Sequence, residues 1–92
     1  MKTFTVVNRF VPDMETRRAD YRPDHLTWLQ AAAESGRVVM AGAVVDPVDH
    51  NLLVVRGEGP AEVRAWLLAD PYAQAGLIHT VEVREYNLVI GG

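Results

Sequence analysis

The sequence predicts an α+β fold of order β-α-β-β-α-β, a split arrangement with two helices on one face of an antiparallel sheet. Three observations carry the prediction. Residues 3–11, 37–45, 52–56 and 77–90 are rich in β-branched and other apolar types, as strands are. Residues 23–35 and 60–69 instead place their apolar side chains at helical spacing. Pro12-Asp13, Ser35-Gly36, Asp46-Pro47, Gly57-Glu58-Gly59-Pro60 and Pro71 fall between or at the ends of these stretches, as breakers do.

The first strand, 3–11, puts Phe4, Val6 and Phe10 on one face and Thr3, Thr5, Val7 and Arg9 on the other. The charged stretch 13–22 reads as a connector or a frayed first turn. Pro23 suits an early helical position, and Asp24 is charge-favourable near a helix start. In the helix that begins there, Leu26, Leu29 and Ala33 form the apolar stripe, flanked by Trp28 and Ala32. His25 lies at the edge of that stripe, where a polar group can look into a pocket without full burial. Gly36 supplies the left-handed residue that closes the helix.

The second strand, 37–45, is apolar on both alternating faces, so both faces are expected to be covered. Two helices cover one face of a four-stranded sheet in a chain this short. The other face then needs a partner sheet, which predicts a homodimer. Gly42 inside this strand suggests a bulge or a close backbone approach. Asp46-Pro47-Val48-Asp49 is a turn, followed by the third strand, 52–56. The second helix, 60–69, starts at Pro60 and turns Val63, Trp66 and Leu67 inward. Pro71 ends it, one more turn closes at Gly76, and 77–90 reads as a long last strand.

Composition narrows the function classes. Ninety-two residues, 49% apolar and 23% charged, make one soluble domain over 1–92. A core of this size gains from association with a second copy. The net charge is −3, and the nearest basic cluster (Arg17, Arg18, Arg22) is interleaved with Glu15, Asp20 and Asp24. That is no footprint for nucleic acid. The absence of cysteine removes disulfides, thiolate catalysis and Cys-ligated metals. No apolar run approaches a membrane span and no leader pattern opens the chain, so a cytoplasmic protein with no membrane partner is expected.

Among residues that could carry chemistry, His25 and Asp70 are the foremost pair. A neutral imidazole accepts a proton near pH 7, and a carboxylate beside it orients the ring. His25 could equally be an ordinary helix residue with its ring tip at the surface. Asp70-Pro71 also reads as a helix N-cap followed by proline, and capping does not prevent Asp70 from meeting His25. Tyr72 could hydrogen-bond a substrate oxygen or pack on Trp66; Arg9 could anchor an anion or lie on the surface. Tyr21, Arg22 and Trp28 are candidates for a pocket mouth, although a tryptophan more often belongs to the core. Ser35 is the only serine and has no base in sequence context, and Lys2 is the only lysine. His50 and His79 show no metal-ligand spacing, and Gly57-Glu58-Gly59 lacks the context of a dinucleotide loop. No metal and no organic cofactor are expected.

Taken together, His25-Leu26 with Leu29, Ser35-Gly36, Ala41-Gly42-Ala43, Asp70-Pro71-Tyr72 and Ala75-Gly76-Leu77 resemble the YciI-like (YCII-related domain) family. Each piece is short and degenerate; the order and spacing along nearly the whole chain carry the resemblance. It implies a ferredoxin-like fold whose sheets pack into a dimeric α/β-barrel, like muconolactone isomerases. It also implies a His–Asp pair in a cleft, here matching His25 and Asp70. The best characterised chemistry of the family is dehydrochlorination of a chlorohydroxyhydroquinone. The expected function is therefore cofactor-independent general acid–base chemistry of lyase, dehydrochlorinase or isomerase type on a small molecule, with Tyr72, Arg9 and Trp28 as substrate contacts. The alternative is a non-catalytic module of the same dimeric barrel that holds a small ligand.

Overall fold

A computed structural model describes residues 1–92. In chain order the elements are β1 (Lys2–Phe10), α1 (Met14–Arg17), α2 (Arg22–Glu34), β2 (Val38–Ala43), β3 (His50–Gly57), α3 (Pro60–Leu67), α4 (Pro71–Gln74) and β4 (Ile78–Glu85). The four strands form one antiparallel sheet in the order β2-β3-β1-β4, the ferredoxin-like topology. The one-turn helix α1 lies in the stretch expected as a connector or a frayed first turn, and α4 is the further turn expected before Gly76.

Cross-strand register places the core. Phe4 pairs with Val55, Val6 with Leu53 and Asn8 with Asn51, so these residues share one face. Phe4, Val6, Leu53 and Val55 pack there against Ala32 of α2 and against Val63 and Leu67 of α3. A second cluster joins Phe10, Met14, Tyr72 and Leu77. Asn8 falls between the two clusters on the inward face of β1. The Arg37 guanidinium closes the end of the molecule near α3: its two nitrogens bond the Glu62 carboxylate, one of them to Oε1 at 2.7 Å, and it lies 5.0 Å from the Trp66 ring. That pairing raises the Arg37 pKa and holds the Glu62 carboxyl below its ordinary value.

Several local expectations change. The inward line of α2 is His25, Trp28, Leu29 and Ala32; Leu26 and Ala33 are exposed. The stripe is rotated so that a histidine, rather than a leucine, heads it, because His25 has a buried partner and Leu26 has none. Strand β4 stops at Glu85 instead of Ile90. Tyr86 makes the last ladder bond, to the carbonyl of Thr3, and β1 has almost no residues left to pair beyond that point. The irregularity in β2 lies between Val38 and Met40, and a side chain at Gly42 would meet open space. Gly36 and Gly76 do adopt positive φ, as their helix ends require. The Asp46–Pro47 peptide is cis.

Candidate active site

The chain reaches this site from two directions. Pro23 lies in the first turn of α2, and the His25 amide bonds the carbonyl of Tyr21. That start directs the imidazole toward the sheet. At the other end, Pro71 opens α4 and forces the preceding Asp70 into extended geometry, φ −60° and ψ 124°. Asp70 thereby leaves α3 and turns its carboxylate back toward α2.

The two side chains meet at 2.7 Å, His25 Nδ1 to Asp70 Oδ1. Both are deeply buried, His25 at 5% and Asp70 at 2% of full exposure. The same Oδ1 accepts the backbone N–H of Tyr72 at 2.9 Å, so Asp70 caps α4 and holds the histidine at once. An ionised carboxylate only accepts hydrogen bonds, so Nδ1 carries the proton toward Asp70, and Nε2 is the nitrogen left to accept one in the neutral form of the ring. Tyr72 stacks on the imidazole with centroids 3.7 Å apart and planes 6° from parallel, and meets Phe10 edge-on. The carboxylate fixes the tautomer and the phenol fixes the plane. His25 is thus buried and fully oriented, in contrast to the half-exposed position that its helical spacing suggested.

A cavity of about 140 Å³ opens on the His25 side, bordered by Arg18, Arg22, Tyr72, Asn51 and the small residues Ala41, Gly42 and Ala43. No carboxylate lines it. Burial pushes the Tyr72 phenol above its ordinary pKa of 10.0, against the opposing pull of the Arg18 and Arg22 guanidiniums, so it stays a neutral donor. A second cavity, about 290 Å³, lies on the Asp70 side and is bordered by Asn8, Arg64 and His79. The first is lined by the histidine itself and is the candidate site.

Of the residues singled out from sequence, His25, Asp70 and Tyr72 come together. Tyr72 does so by stacking on His25 rather than on Trp66. Arg22 does border the cavity mouth. Arg9 and Trp28 are not brought to the cavity. Arg9 projects from the opposite, open face of the sheet, opposite His50 of β3. Trp28 stacks on Trp66 with centroids 4.6 Å apart, and both rings pack on the main core cluster. Asn51 and Arg18 also border the cavity, and Asn8, which does not, bonds Asn51 from the neighbouring strand. The signal for Asn8 was available: it breaks the apolar register Phe4, Val6, Asn8, Phe10 on an otherwise inward face.

A family model described as the YCII-related domain matches residues 2–87. Protein YciI of Escherichia coli O6:H1 and Protein YciI of Shigella flexneri are each 31% identical to this chain over 87 residues, covering 84% of it and 88% of the relative. Among solved structures, the chain is similar to 5-chloro-2-hydroxyhydroquinone dehydrochlorinase (TftG) from Burkholderia phenoliruptrix AC1100 in complex with 2,5-dihydroxybenzoquinone. The TM-score is 0.80 at 19% identity, over 92% of this chain and 93% of that one. PA3566 from Pseudomonas aeruginosa is a more distant likeness, TM-score 0.59 at 5% identity over 96% and 93% of the two chains.

Proposed function

The chain belongs to the YCII-related domain family, and from that premise we propose that it is a cofactor-independent acid–base enzyme acting on a small oxygenated molecule. The observation that carries the reading is the His25–Asp70 bond at 2.7 Å beneath a cavity that contains no competing carboxylate. His25 Nε2 takes a proton from a carbon next to a carbonyl, and the C–H electron pair moves onto the carbonyl oxygen. The imidazolium then returns the proton at another atom, which is isomerisation, or the electron pair expels a leaving group, which is elimination. Asp70 stabilises the imidazolium through Nδ1–H and keeps Nε2 aimed at the cavity. Arg18 and Arg22 attract the anionic or electron-rich substrate. The fold shared with a dehydrochlorinase makes a chlorinated hydroxyhydroquinone the first substrate to try. Its keto tautomer, protonated at the C–Cl carbon, loses a hydroxyl proton to Nε2, the O–H pair becomes a second carbonyl and the shifted ring pair expels chloride.

Chloride release and quinone absorbance would be followed with 5-chloro-2-hydroxyhydroquinone, alongside deuterium exchange at the acidic carbons of related enolisable rings. Wild type is expected to turn over at least one of these, and His25→Ala to lose about 100-fold or more, the usual worth of a positioned base. Nitrogen chemical shifts should show the His25 proton on Nδ1 in wild type and a mixed tautomer in Asp70→Asn. Equal turnover in His25→Ala would end the proposal.

A further inference from the structure

Asn8 and Asn51 face each other on the two central strands, and a single bond joins their amides. Asn8 Nδ2 donates to Asn51 Oδ1 at 2.9 Å, with both residues buried. An amide has one acceptor oxygen and one nitrogen with two hydrogens. The pairing therefore uses the Asn51 acceptor and leaves its Nδ2 donor without a partner in the protein. No fully buried side-chain nitrogen or oxygen lacks a hydrogen bond, so this Nδ2 meets open space. The open space that Asn51 borders is the His25 cavity. Arg18 and Arg22 border it too, and neither has a carboxylate within 4.0 Å. Of the other polar side chains around this cavity, the two guanidiniums only donate, and the Tyr72 hydroxyl can donate or accept.

We propose that the Asn51 amide binds the oxygen that carries negative charge in the ligand, with Asn8 as the residue that positions it. The ligand class is a phenolate, an enolate or a hydroxyquinone anion. Asn8 fixes the Asn51 rotamer by occupying its oxygen, which leaves only the nitrogen facing the cavity. Arg18 and Arg22 add attraction at the mouth, while Asn51 supplies the directed bond at the floor. The inference rests on the reading of this cavity as the reaction site, and it deepens that reading by naming the atom that meets the oxyanion. Donors preset in a dry site need no reorganisation as charge develops, which makes such contacts effective in catalysis.

The test is equilibrium binding of para-nitrophenolate, read by its visible absorbance at a pH where the probe is ionised and histidine neutral. Wild type should bind it, and Asn51→Ala should bind about tenfold or more weakly, the loss expected for a bond to a charged oxygen. Asn8→Ala should give an intermediate loss, because the Asn51 amide becomes free to rotate. A double variant, Asn8→Val with Asn51→Val, removes both amides, leaves no orphaned polar group and suits the strands, so it tests the site in a folded protein. Its affinity should fall as far as that of Asn51→Ala. Lys2→Gln, remote from the cavity, controls for net charge and should match wild type. No binding by wild type, or equal binding by the double variant, would overturn the inference. Asn51-dependent binding without any turnover would leave it standing and remove the enzymatic reading instead.

Discussion

Tyr72 has two roles at the scale of single residues: it stacks on the His25 ring, and its amide is the group that Asp70 caps. Its buried phenol has a pKa raised above 10.0. The unfolded chain therefore ionises first. The associated stability is fully present below the unfolded value and is lost as pH rises through the folded one. Absorbance titration of wild type against Tyr72→Phe should assign to Tyr72 a transition above the ordinary phenol value of 10.0. Replacement Tyr72→Phe should flatten the alkaline loss of stability, measured as melting temperature against pH. A Tyr72 transition at or below the ordinary phenol value would contradict its burial.

At the scale of elements, the approach of α3 to β3 depends on Gly57. A Cβ there would come within 2.6 Å of Val63 Cγ2 and 2.7 Å of Glu62 Oε1. Val63 is fully buried and cannot give way without moving the helix. Gly57→Ala should therefore cost about 1–3 kcal/mol in chemical denaturation, the usual penalty of overpacking. The same change at Gly42, where a side chain meets open space, should cost much less in a monomer. Comparable losses at the two positions would mean that something covers Gly42. Gly57 read in sequence as part of a breaker between strand and helix, and the close approach became visible only once α3 was placed on β3.

The whole molecule leaves one face of its sheet without helices. Register puts Met40, Gly42, Leu52, Val54 and Val7 together on the part of that face near β2, and Met40 is 56% exposed. A monomer rarely leaves such a patch open. Sedimentation should give a particle of about twice the 10.2 kDa chain mass. Leu52→Glu should shift it to monomer with the fold intact by circular dichroism. A wild-type monomer at micromolar concentration would refute the expected homodimer. No helix is long and apolar enough to cross a membrane.

Strand and helix order was legible from the sequence because period two and period 3.6 are local properties of the chain, and because proline and glycine mark the breaks. The candidate pair was legible in part: Pro71 announces that Asp70 caps a turn, and Pro23 that His25 lies in a first helical turn. The meeting of residues 25 and 70, the rotation of α2 that buries His25 rather than Leu26, and the removal of Trp28 to a stack with Trp66 depend on how helices settle on the sheet. Asn51 lies in a strand of ordinary appearance, and its free donor depends on Asn8, forty-three positions away and directly across the sheet. Local sequence sets the torsions of short segments. Long-range packing decides which of their polar atoms are paired and which are left facing a cavity.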